Sequence, residues 1–100
     1  MVKRIIWSKR AKNDRKSILE YWSIRNKSRQ YPRKLFKIFQ DSVLEIASNP
    51  FTGMYTDYHG VKVKIVRDYK IFYEEIDSSI VILAIWDTRQ NPDKLKNIFK

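Results

Sequence analysis

Lys62 and Lys64 alternate with Val61, Val63 and Ile65 in the stretch Val61 to Tyr73, VKVKIVRDYKIFY. That alternation is the pattern of a strand with one dry face and one cationic face. Two residues of strand rise set the ammonium groups about 7 Å apart, a spacing that suits a polyanion and that a solvated sheet face shares. Arg89, in the IWDTRQNP segment after the next strand-like run, belongs with them. His59 stands just before the lysine strand, and histidine is the usual acid or base near neutral pH, although a single loop histidine is more often an ordinary surface residue. Tyr69 and Tyr73 share a strand face at period 2, where core packing is the commoner role and base stacking the rarer one. Glu74 and Glu75 close the same run and can serve as a base only if one of them faces the lysines.

These residues need elements to hold them. Val2 to Trp7 (VKRIIW) is rich in β-branched and aromatic residues and short enough for a strand. Ser8 then stands at an N-cap position, and from Lys9 the period turns helical, with Ala11, Ile18, Leu19 and Trp22 on one face and Arg15 as an exception in that stripe. Lys9, Lys12 and Lys16 lie on the opposite face. Five cations in the first two turns oppose the helix dipole, which is locally unfavourable. Asn26, Lys27 and Ser28 read as a short connection. A second helix starting near Arg29 to Tyr31 accommodates Pro32 in its first turn, and Leu35, Ile38, Phe39, Ser42 and Ile46 mark its apolar face up to about Ala47. Asn49-Pro50 ends it.

Two helices so linked form an antiparallel hairpin that must lie on a sheet to bury its stripes. Val61 to Val66, Tyr69 to Ile76 and Ile80 to Trp86 supply that sheet, through links at Arg67-Asp68 and Asp77-Ser78-Ser79 that are short enough only for antiparallel hairpins. IVILAIW is apolar on both faces and belongs at the centre, with the N-terminal strand beside it or at an edge. The expected fold is α+β, in the order β-α-α-β-β-β, with an antiparallel sheet packed on the helical hairpin and a tail from Pro92 to Lys100 of a helical turn or two.

A chain of 100 residues with 43% hydrophobic residues is expected to be a single ordered domain over 1–100. It has no cysteine, so neither a disulfide framework nor a Cys-based metal site can form, and the single His59 builds no cluster; no metal and no cofactor is expected. No apolar run approaches a membrane span, and Met1 to Arg10 lacks the apolar core of a signal peptide, so a cytoplasmic location and no membrane partner are expected. The formal charge of +10 is unevenly placed. Residues 1–50 carry 13 Lys and Arg against four acids, and residues 51–100 carry eight against seven. An anionic or acidic partner is therefore expected on the first half.

The order of elements, the small basic chain, SNPFTG closing the hairpin, and VKVKIVRDYKIFYEEI followed by IVILAIWDTRQNPDKL together resemble the RelE/ParE superfamily of type II toxin-antitoxin toxins. The resemblance covers nearly the whole chain and implies a toxin held by a cognate antitoxin in a hetero-oligomer, the antitoxin wrapping helices and sheet with an acidic and apolar segment. Its two branches imply different chemistry. RelE-like members cut mRNA on the ribosome without a metal, using the substrate's 2′-hydroxyl as nucleophile, which needs a base, cations for the pentavalent phosphate and an acid for the leaving oxygen. In that branch the roles fall on a Lys-x-Lys strand, an Arg before the Leu-Val-Tyr-like strand, an Arg after the last strand and a Tyr six residues beyond it. Lys62 and Lys64 match the first, Arg89 the third, and Lys70 stands in place of the other Arg, keeping charge but not the bidentate fork. Leu95 stands where the Tyr would be, leaving His59 as the candidate acid.

ParE-like members share the fold, have no hydrolytic residues of their own and poison DNA gyrase. Their hairpin closes in a Pro-x-x-Gly-like turn, matched by Pro50-Phe51-Thr52-Gly53, and the absent tyrosine fits them. On that branch the same cations bind protein carboxylates. A third reading, from charge alone, is a basic RNA-binding module using Lys9, Lys12, Lys16, Arg33 and Lys37.

Overall fold

The computed structural model describes residues 3–27 and 29–99; Val2, Ser28 and Lys100, which fall within the expected strand, connection and tail, lie outside the described residues. β1 (Arg4–Trp7) leads into α1 (Lys9–Asn26), and α2 (Gln30–Ser48) runs back. Ser8 caps α1: its Oγ accepts the Ala11 N–H at 3.0 Å and donates to the Leu83 carbonyl at 3.0 Å, so one hydroxyl starts the helix and ties it to the sheet. Lys27, left-handed at φ 50°, closes α1. Pro32 sits in the first turn of α2, where an amide donor is not needed.

After a 3₁₀ turn at Pro50–Thr52 come β2 (Met54–Tyr55), β3 (Val61–Val66), β4 (Tyr69–Ile76) and β5 (Ser79–Asp87), and a 3₁₀ helix at Pro92–Asn97. The described residues form one five-stranded sheet in the order β1-β5-β4-β3-β2. The expected antiparallel sheet is corrected in one respect: β1 runs parallel to β5, so the sheet is mixed. The short hairpin links constrain β3, β4 and β5 only. β1 is joined to the sheet through two helices, and so long a connection imposes no antiparallel pairing. β2, a two-residue edge strand on β3, was also not expected. The β4–β5 link is the pair Asp77-Ser78, since Ser79 already pairs with Ile76.

A bulge decides which side chains of β5 face the helices. Phe72 pairs with Ala84 and Tyr73 with Ile82, leaving Leu83 without an opposite residue. Ile80 and Ile82 therefore face the helices, and beyond the bulge Ile85 and Asp87 do. This is why IVILAIW reads as apolar on both faces.

The helix-side core joins Leu35, Phe39, Val43 and Ile46 of α2 to Tyr69, Ile71 and Tyr73 of β4 and to Ile80 and Ile82. On the other face Val61, Val63, Phe72, Ala84 and Trp86 are covered by Leu95 from the 3₁₀ helix, with Phe99 against Phe72 and Tyr58. Arg15, the cation in the apolar stripe of α1, lies over the rings of Trp7 and Phe36 at 4.4 and 5.2 Å from their centroids, so its guanidinium satisfies an otherwise apolar position.

Candidate functional site

Period 2 puts Lys62, Lys64 and Val66 on the helix side of β3, opposite Tyr73, Ile71 and Tyr69. Lys64 Nζ is 2.9 Å from Glu45 Oε2 on α2. Lys62 Nζ stands 4.7 Å from the ring centroids of both Phe51 and Tyr55 and 3.4 Å from the Pro50 carbonyl. The loop that makes this cradle is strapped to β4 by the buried Tyr73 hydroxyl, which donates to the Pro50 carbonyl at 2.7 Å and accepts the Gly53 N–H at 3.1 Å. Burial pushes the Tyr73 phenol above its ordinary pKa, so it stays a neutral donor. Glu75 lines the same cavity of about 200 Å³ as Lys62, and its carboxylate holds Lys3 at 2.9 Å.

Arg89 is elsewhere. Its Nε and Nη2 reach the two oxygens of Asp87 at 3.0 and 2.7 Å, a bidentate fork that holds the Asp87 carboxyl below its ordinary value and raises the guanidinium further. The pair lines a cavity of about 220 Å³ between α1 and the end of β5, together with Asp14, Tyr21 and Tyr69. Trp22 Nε1 donates to the Tyr69 hydroxyl at 2.8 Å, and burial raises the Tyr69 phenol. Asp14 accepts the Ile85 N–H at 3.1 Å, closing the part of the β5 edge that β1 does not reach; burial raises its carboxyl, partly offset by that hydrogen bond and by Arg10.

The distance between the two places follows from α2. Tyr31 stacks edge-on against Trp22, whose ring lies under Arg89 at 5.9 Å, whereas Glu45 holds Lys64. Fourteen residues of helix separate Tyr31 from Glu45, roughly 20 Å of rise. Lys70 faces away from both, sharing the opposite sheet face with its cross-strand neighbour Trp86 and with Phe72. His59 is exposed in the turn before β3. The five expected site residues are thus spread out: Lys62 and Arg89 line different cavities, Lys64 is held on Glu45, Lys70 is on the far face and His59 in a loop. A single phosphate in line with a base, a cation and an acid needs them within hydrogen-bonding reach of one point.

Residues 5–92 match the family model described as the ParE toxin of type II toxin-antitoxin systems, parDE. The chain belongs to the ParE toxin family. Its ParE fold is also that of a solved structure described as the chromosomal ParDE TA system from P. aeruginosa, at TM-score 0.76 and 16% sequence identity over 86% of this chain and 96% of that one. At that identity the likeness is one of fold. No curated protein matches the chain. A ParE-family toxin of a type II system has an antitoxin as its partner. Among the described residues no helix is long and apolar enough to cross a membrane, and no group of His, Asp and Glu is arranged to hold a metal.

Sequence reasoning did not single out several residues of this ParE chain that line its two cavities. Phe51 and Tyr55 are largely exposed around Lys62, at 79% and 75%. Their signal was an aromatic-rich loop next to a sheet edge, FTGMY, in a chain otherwise sparing with exposed aromatics. Asp14 and Asp87 could have been found as acids set four residues after Arg10 and two before Arg89 in basic surroundings.

Proposed function

We propose that this ParE-family toxin acts by binding a protein target, DNA gyrase, and not by cutting mRNA on the ribosome. One observation carries the reading: Lys64 and Arg89 occupy separate places, one at Glu45 in the last turns of α2 and the other over Trp22 beside its first turn, each already neutralised by its own carboxylate. Paired cations on a folded scaffold suit exchange of carboxylate partners at a protein surface better than charge stabilisation at one reacting phosphate. The buried Leu95 supports the same branch, because it packs in the second core where the nuclease branch would place a tyrosine. The exposed Phe51 and Tyr55 around Lys62 have the composition of a protein-binding patch, aromatic side chains beside one cation.

On this reading the antitoxin holds the toxin in a hetero-oligomer and blocks the target surface. The test is a gyrase reaction on supercoiled plasmid with purified toxin, run beside translating ribosomes. Accumulation of gyrase-dependent double-strand breaks with intact mRNA is expected. Codon-positioned mRNA cuts that vanish in Arg89→Ala, with gyrase unaffected, would establish the nuclease branch instead.

A further inference from the structure

We infer that the cavity between α1 and the end of β5 takes the primary amide of an Asn or Gln side chain from a partner protein, its carbonyl accepting from the Tyr69 hydroxyl and its amino group donating to Asp14. Tyr69 is 2% exposed, and its oxygen already accepts from Trp22 Nε1 at 2.8 Å. A phenol also has one proton to donate, and among the described residues that proton meets no acceptor. Tyr69 therefore offers the cavity a dry donor. Asp14 lines the same cavity, with its side chain 20% exposed. One of its oxygens accepts the Ile85 N–H at 3.1 Å, while the other has only Arg10 Nε at 3.5 Å and keeps room for a further donor. A shielded donor and a shielded acceptor in one small cavity match a group that carries both, as a primary amide does.

Charge and size weigh against the other occupants. The carboxylates of Asp14 and Asp87 both line the cavity and oppose a phosphate or a carboxylate. A cation finds neither of them free, because Asp87 spends both oxygens on Arg89 and Asp14 has Arg10 beside it. An apolar side chain would shut the Tyr69 proton and the Asp14 oxygen away from any partner, which costs more than its burial returns at so polar a site. A donor from the amide also relieves the desolvation that raises the Asp14 carboxyl. At about 220 Å³ the cavity falls below the roughly 300–1,000 Å³ of small-molecule sites and suits one side chain. A nucleobase carries donors and acceptors too, but bases are held by stacking, and here the Tyr69 ring packs against Phe39 while Arg89 covers the Trp22 ring.

This inference deepens the protein-target reading and rests on it for the kind of partner, but the cavity is tested without gyrase. N-acetyl-glutamine methylamide and its glutamate and methionine counterparts are titrated into nitrogen-labelled, full-length toxin and followed by NMR. The Ile85 amide, bonded to Asp14, and the Trp22 indole N–H, bonded to Tyr69, report the two ends of the cavity. The glutamine compound should shift both saturably and bind more tightly than the other two. Tyr69→Phe should weaken it about tenfold, the worth of one hydrogen bond, whereas Trp22→Phe leaves the Tyr69 proton in place and should bind it as wild type does, read at Ile85. Asp14→Asn places a donor where the acceptor was and should turn the preference toward the glutamate compound, a reversal that a merely structural role does not produce. No saturable shift in wild type, glutamate or methionine compounds binding as tightly as glutamine, or cytidine binding more tightly, overturns the inference. If wild-type toxin breaks DNA with gyrase yet the amide does not bind, the gyrase reading stands and this inference falls; amide binding without any effect on gyrase gives the converse.

Discussion

Tyr73→Phe removes one oxygen and, with it, the strap that holds the Lys62 cradle. The hydroxyl is fully buried and makes two hydrogen bonds, donating to the Pro50 carbonyl at 2.7 Å and accepting from Gly53 N–H at 3.1 Å. After substitution the Pro50 carbonyl keeps only the long contact from Lys62 at 3.4 Å, and the Gly53 amide loses its acceptor. One stranded donor and one weakened acceptor cost about 1–3 kcal/mol, and the lost oxygen leaves too little space for collapse to recover much. For a chain of this size about 2 kcal/mol corresponds to a fall in Tm of roughly 10 °C. Urea unfolding should show a lower midpoint with an unchanged slope. Exchange of the Gly53 amide should speed up more than that of the β4 amides, because the loop is released before the sheet. A midpoint within about 0.5 kcal/mol of wild type, or Gly53 protection unchanged, refutes the strap.

Gly53→Ala should break the same strap from the other side, since an added Cβ would fall 2.3 Å from the Tyr73 hydroxyl, and its stability loss should add less than fully to that of Tyr73→Phe in a double-mutant cycle. Asp14→Asn keeps an acceptor for Ile85 N–H while removing a carboxylate whose pKa burial has raised, so thermal melts at neutral pH should show unchanged or higher stability, whereas Asp14→Leu should cost about 1–3 kcal/mol by stranding that amide. The two acids respond to pH with opposite sign. Stability from the lowered Asp87 is present above its unfolded pKa and is lost as pH falls through the folded value; that from the raised Asp14 is present below its unfolded pKa and is lost as pH rises through the folded one, and Asp87→Asn against Asp14→Asn should separate them in melts from acid to neutral pH. Leu95→Tyr should cost about 1–3 kcal/mol by overpacking the second core, and ribosome assays should show no gain of mRNA cleavage.

Much of this fold follows from local pattern. The capping Ser8, the apolar stripe of α2, Pro32 in a first turn and the two-residue link Arg67-Asp68 are legible because each depends on residues a turn or less apart. The parallel pairing of β1 with β5 is not, because it joins residues about 75 positions apart, and the bulge at Leu83 is not, because it is a shift of register between two strands that each read as continuous. The site divides in the same way. That Lys62 and Lys64 share a face is a matter of period, but which face, and that Lys70 takes the other, depends on the sheet's two cores. Grouping Arg89 with the lysines assumed that nearness along a β-meander means nearness in space. The register sets Asp87 beside Tyr69 and Val66, at the far end of β3 from Lys62, and α2 lies across the gap.

The central claim is that the cations act separately, at a protein surface, and the direct measurement is a Lys64→Ala/Arg89→Ala cycle read in gyrase-dependent DNA breakage and in ribosome-dependent mRNA cleavage. Each single variant should lower DNA breakage by less than about tenfold, the double variant by the product of the two, and mRNA should remain intact throughout. Cleavage of mRNA by wild type that falls about 100-fold or more in either single variant, and no further in the double, would contradict the account, because it would show the two residues working as one catalytic unit.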